Sequence, residues 1–138
     1  MSTDFSVLGK FRNKEQVRFL VEAIRAKGKS CYDFTEKPSD PGNPSASGEE
    51  QMKVFESTPD FQNNAYFQEI FGRDLKGLRE ATTVILLLPA GTSAHIEAGI
   101  AYGLGKRLIL IGKPEKPESL YLIFTERYES VDDFVATL

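Results

Sequence analysis

The chain has no tryptophan, one cysteine, one histidine and two methionines in 138 residues. A lone Cys31 excludes an internal disulfide, and a lone His95 excludes a metal site built on several histidines. No other residues cluster at metal-ligand spacing, so no metal is expected. No GxGxxG follows the first apolar run, which removes the dinucleotide fingerprint, and no cofactor is expected. Neither a Cys–His pair nor a Ser–His–Asp set lies at sensible positions for a nucleophile and its base. An excess of positive charge is also missing. With 17 basic and 20 acidic residues the net charge is −3, which speaks against nucleic acid or an anionic membrane as a partner. No run approaches the roughly 20 apolar residues of a membrane span. The first ten residues, MSTDFSVLGK, carry no charged and apolar leader pattern, so a cytoplasmic location is expected.

What is present is the pattern of one domain, residues 1–138, in which apolar runs alternate with amphipathic stretches. Residues 5–9 (FSVLG) form a strand stopped by glycine. Asn13, with Gln16 as capping-box partner, opens a helix in which Val17, Leu20, Val21 and Ile24 recur at helical spacing up to Gly28. Residues 30–34 (SCYDF) form a second strand. A Pro/Gly/Ser loop over 37–48 follows, then a short helix capped by Ser47 with Glu50. Thr58 and Pro59 mark the start of a helix reaching Arg79. Residues 83–88 (TVILLL) and 107–111 (RLILI) are apolar on both faces, as central parallel strands are. Between them a helix capped by Thr92 or Ser93 ends at Gly105. A last strand over 126–129 and a short helix capped by Ser130 with Asp133 complete the chain. The expected fold is α/β: a flavodoxin/Rossmann-like three-layer sandwich with about five parallel strands and helices on both faces. In such folds ligands bind beyond the carboxyl ends of the strands, near the topological switch point.

Two acids stand out. Glu97 lies near the start of its helix with Ile100, Ala101 and Leu104 on its own face, where a surface carboxylate has basic neighbours. Asp74 interrupts the row Ile70–Asp74–Leu78, beside Phe71 and Leu75, in a stripe expected to face the core. Each has an ordinary explanation: a helix-dipole glutamate, and a buried aspartate satisfied by Arg73, Arg79 or backbone. Both helices flank the strand over 83–88, so the two acids are expected to converge, with the helix start keeping Glu97 ionised. Two acids with separated proton affinities suit displacement at a sugar anomeric carbon. The small-residue turn 90–93 (AGTS) at a helix start suits a phosphate or ribose, and His95 beside it either meets a ligand or caps the turn. GLGK at 103–106 lies at a helix end and is no phosphate loop. The segment 35–64 is long for a connector and is expected to form a lid, with Phe11, Phe34 or Phe55 available to stack on a base.

The stretches GRDLKGL (72–78), TVILLLPAGTSAHIEAG (83–99) and AYGLGKRLIL (101–110) resemble the nucleoside 2-deoxyribosyltransferase superfamily. In the first half only the strand ending at Gly9 and the YDF at 32–34 share in the resemblance. It implies that Glu97 attacks C1′ of a nucleoside and forms a glycosyl ester, and that Asp74 orients it or handles a proton. It implies a base and sugar pocket lined by Gly9, Lys10 and Phe11, with Ser93 or Thr92 on a 5′-phosphate; the switch-point rule adds Asp33, Phe34 and Gly91 as substrate-binding candidates, and His95 is a candidate by its place in the turn, with no role in the family pattern. The resemblance also implies a homo-oligomer, a dimer, whose sites are completed across subunits. Two departures favour hydrolysis over transfer. The acidic residue that transferases carry six positions before the nucleophile is Gly91 here, and the chain ends DDFVATL without the family's Asn- and aromatic-containing terminus. The other functions open to the same pocket are an NAD-type glycohydrolase of TIR-like character and a non-catalytic nucleotide-binding sensor.

Overall fold

The computed structural model describes residues 2–138. It contains five strands, β1 (Thr3–Leu8), β2 (Cys31–Asp33), β3 (Ala81–Leu87), β4 (Arg107–Ile111) and β5 (Glu126–Tyr128), all parallel in the order β2-β1-β3-β4-β5. The helices are α1 (Lys14–Ala26), α2 (Gly48–Glu56), α3 (Ala65–Glu80), α4 (Thr92–Gly103) and α5 (Val131–Val135). Alternate side chains of each strand enter opposite layers. Val7, Ile85, Leu87, Ile109 and Ile111 pack with Val17, Leu20, Val21 and Ile24 of α1 and Phe134 of α5. Leu8, Val84, Leu86, Leu108 and Leu110 pack with Leu78 of α3 and Ala94, Ala98 and Ala101 of α4. The three-layer α/β sandwich is therefore the one expected, and α3 and α4 share a face of the sheet. No helix of the described residues is long and apolar enough to cross a membrane.

The chain direction reverses its lateral progress between β1 and β3, which are hydrogen-bonded neighbours. Their following loops meet: the Cβ direction of Gly91 points at Lys10 Cβ, 4.0 Å away. Gly9 is tight for a similar reason, since a Cβ there would lie 3.0 Å from Val17 Cγ2. The loop after β3 opens with a cis peptide between Leu88 and Pro89.

Several expected boundaries moved. α3 begins at Ala65, where Asn64 accepts from the backbone N–H of Tyr66 and Phe67, and not at Pro59. Thr58 instead closes α2, donating its hydroxyl to the Val54 carbonyl at 3.0 Å. Asn13 precedes α1 but its side chain makes no cap bond, and α4 is preceded by Gly91 with no side-chain cap, so Thr92 is already helical. Ser47 and Ser130 do cap as expected, at 3.2 and 3.1 Å from the N–H of Glu50 and Asp133.

The segment 35–64 is fastened to the body at several points. Arg12 forks between Glu49 and Glu56 of α2 at 2.5 and 2.8 Å. Gln51 is buried and accepts from Ser39 N–H at 2.8 Å while donating to the carbonyls of Pro44 and Ala46, both at 3.1 Å. Lys37 pairs with Glu69, and the Tyr66 hydroxyl donates to the Pro38 carbonyl, which tie the loop to α3.

Candidate active site

Asp74 sits midway along α3, one-fifth exposed, and Tyr32 of β2 reaches it from below. The Tyr32 hydroxyl donates to Asp74 Oδ1 at 2.7 Å. Arg73 Nε donates to the same hydroxyl at 3.1 Å and stands 3.5 Å from Asp74 Oδ1. Burial nevertheless leaves Asp74 above the usual carboxylate range, the Tyr32 bond and the Arg73 charge pulling it only part of the way back. The Tyr32 hydroxyl, raised by burial and by that bond, stays protonated and remains a donor.

Room for the tyrosine ring is made by Gly77, one turn after Asp74, where a Cβ would lie 2.7 to 2.9 Å from ring carbons. Gly77→Ala is expected to destabilise the fold by roughly 1–2 kcal/mol in urea unfolding, overpacking outweighing the gain in helix propensity. Gly72→Ala is the control in the same helix: nothing lies within 4 Å of its Cβ position, so it should stabilise by up to about 1 kcal/mol.

Glu97 enters the same layer from α4, which packs against α3. Its side chain is largely buried, and this desolvation, with the charge of Asp74, lifts its pKa to about 8. The expectation that the helix start keeps Glu97 ionised is therefore corrected. With Gly91 as N-cap, Glu97 falls in the second turn, beyond the reach of the helix-end partial charge. Near neutrality the protonated form of Glu97 is therefore the favoured one. The stripes around the acids are less buried than their spacing implies. Ala101 and Leu78 are fully covered, whereas Phe71 is 67% exposed, Ile100 37% and Leu104 49%.

The loop residues do different work. His95 Nδ1 lies 2.7 Å from the Gly91 carbonyl, which can only accept, so Nδ1 carries the proton. Nε2 then accepts from the Tyr121 hydroxyl at 2.8 Å. His95 thus ties the start of α4 to the short 3-10 turn Ser119–Ile123, and His95→Ala should cost about 1 kcal/mol in the same unfolding assay. A cavity of about 1190 Å³ lies on that flank of α4, lined among others by Lys10, His95, Tyr102, Lys113 and Tyr121. Glu97 is on the opposite flank, two residues from His95 on the helix, and neither acid lines this cavity. Gly91, Thr92 and His95 border a second, shallower depression.

The remaining expected pocket residues divide by face. Gly9 and Lys10 lie at the loop junction, and Ser93 is exposed at the start of α4. Phe11 is 7% exposed and belongs to the interior. Phe34 packs with the α1 layer, across the sheet from the acids, and Asp33 is buried with Oδ1 accepting from the Thr35 N–H and hydroxyl at 2.8 and 2.6 Å. Phe55 stacks on Phe67, ring centres 4.1 Å apart. Sequence reasoning missed Tyr32 as a member of the acid cluster. Its signal is alternation: in CYD, Cys31 and Asp33 face one layer, which sends Tyr32 to the α3 side.

No protein-family model matches the sequence, and no curated protein matches it significantly. Solved structures do match over nearly the whole chain. One is the 2-deoxyribosyltransferase of the psychrotolerant bacterium Bacillus psychrosaccharolyticus, with a TM-score of 0.64 at 16% identity, covering 96% of this chain and 90% of that one. Another is the CMP N-glycosidase BcmB of Clostridium botulinum, with a TM-score of 0.52 at 15% identity over 97% of each chain. The chain has the nucleoside 2-deoxyribosyltransferase-like fold that the resemblance implied.

Proposed function

We propose that the protein hydrolyses the N-glycosidic bond of a nucleoside or nucleoside 5′-monophosphate, with Glu97 as nucleophile and Asp74 as its orienting and proton-handling partner. The observation that carries this is the convergence of two carboxyls, from α3 and α4, in a partly buried layer where one raises the proton affinity of the other. Support for the bond class comes from the two structural neighbours, one a deoxyribosyltransferase and one an N-glycosidase. Gly91 at the position where transferases carry an acid favours water as the acceptor.

The chemistry closes with one proton. Glu97 Oε bonds to C1′ as the C1′–N bond breaks and its electron pair leaves with the base, which takes the proton held by the acid pair. Water then attacks C1′, the ester C–O bond breaks, and its electron pair returns to Glu97. The proton from water restores the protonated pair. The Gly91–Thr92–Ser93 turn, with free N–H groups at the start of α4, is the candidate for the ribose or 5′-phosphate. A homo-oligomer belongs to the same proposal, supported by the apolar outer face of α4, where Ile96 is 59% and Leu104 49% exposed.

The test is a panel of nucleosides, their 5′-monophosphates and NAD, with free base or nicotinamide followed by chromatography and Glu97→Ala alongside. Release by the wild type that disappears in the variant supports the proposal, and release of nicotinamide alone moves it to an NAD glycohydrolase. A second reading is favoured by the cavity that neither acid lines: a nucleotide-binding module using Lys10 and Lys113. Thermal stabilisation by a nucleotide with no turnover of any substrate would decide for that module.

A further inference from the structure

We infer that Tyr32 is a positioning residue for the acid pair: its hydroxyl holds the Asp74 carboxylate in the orientation from which Asp74 acts on Glu97. The inference rests on the glycosidase proposal for its consequence, but its geometry stands alone. Tyr32 is the only side chain outside α3 with a hydrogen bond to Asp74 among the described residues, at 2.7 Å. It comes from a different strand and lies 42 residues away in sequence, so it is held by the sheet and not by the helix that carries the acid. The ring is fixed from both sides. Gly77 admits it so closely that no Cβ fits, and Arg73 Nε anchors the hydroxyl at 3.1 Å. Ser6, paired in register with Tyr32 on β1, is small and buried, and leaves the phenol its place beneath α3.

This arrangement decides which way a carboxylate on a flexible side chain points. An aspartate with one oxygen taken by a rigid phenol has a single remaining oxygen to offer, and its rotation is arrested. The charged and titratable groups around it are Tyr32 from β2, Arg73 on its own helix, Glu97 from α4, Tyr66 at the start of α3 and, through Tyr66, Asp40 from the loop. Of these, Tyr32 is the one that can be altered by a single atom without changing charge or shape.

The experiment is Tyr32→Phe, which keeps the ring against Gly77. Carboxyl titrations are read by NMR on protein carrying carbon-13 in Asp and Glu side chains, without substrate, and base release is measured across pH. Loss of the donor should raise the titration of Asp74 by roughly one unit. The kcat should fall about tenfold with KM little changed, and the pH profile should move with the carboxyls. A tyrosine that does not hold the Asp74 carboxylate would leave its titration in place, and that result overturns the inference. A raised Asp74 titration with an unchanged kcat overturns it as well. Should the wild type release no base from any substrate, the glycosidase proposal fails, while the substrate-free titrations still decide whether Tyr32 sets the acid pair.

Discussion

Glu97→Ala and Glu97→Gln should each reduce base release by at least about 10³-fold, a barrier increase of about 4 kcal/mol. The size follows from the role. A nucleophile that makes the new bond to C1′ cannot be replaced by a neutral amide or a methyl group, neither of which can form the glycosyl ester. Gln preserves volume and a hydrogen-bonding oxygen, so loss in that variant cannot be assigned to a cavity. Asp74→Asn, which keeps the Tyr32 contact but removes the charge and the proton store, should lose about 10–10²-fold. The measurement is initial-rate chromatography on the best substrate of the panel. Retention of wild-type rate in Glu97→Gln would exclude the covalent route and leave the acids as bystanders.

Stability should run against the usual direction at the alkaline end, and Glu97 is the reason. Its folded pKa of about 8 lies above the value of 4.5 for an exposed glutamate. A carboxyl raised in the fold binds more protons folded than unfolded between those limits. The neutral form is favoured below about pH 4.5, and the contribution is lost as pH rises through about 8. Asp74, also raised, adds in the same sense, and Glu56, held low by Arg12 on the surface, acts at more acidic pH. Glu97→Gln removes the titrating group. At pH 9 it should therefore be more stable than the wild type by roughly 2–4 kcal/mol in urea unfolding, and about equal to it at pH 4.5. Equal stabilities at both pH values would show that Glu97 ionises freely and that its layer is open to water. A gain in stability from deleting an acid is the mark of a residue kept for chemistry at a cost to the fold.

The local parts of this protein were legible because their causes are local. The runs TVILLL and RLILI became β3 and β4, and Val17, Leu20, Val21 and Ile24, recognised by spacing alone, are all fully buried. The convergence of Asp74 and Glu97 was also readable, because two helices flanking one central strand have to pack on it, and here both chose the same face. Turn chemistry was less secure. Thr58 before Pro59 has every local feature of a helix start, yet its hydroxyl closes the preceding helix. Phe71 fits the apolar stripe of α3 but faces outward, since a stripe narrower than the helix surface leaves its edge uncovered.

By itself, then, the sequence determined the alternation of strands and helices, the parallel sheet, the two acids and the layer they share. Tertiary structure alone decided the charge state of Glu97, the side-chain partner of Asp74, the occupation of His95 by Tyr121, and the layer into which Phe34 turns. The physical reason is range. Strand and helix follow from periodicity within a few residues. Proton affinity and hydrogen-bond pairing depend on which distant groups the fold brings within about 4–6 Å and on how much water it removes between them.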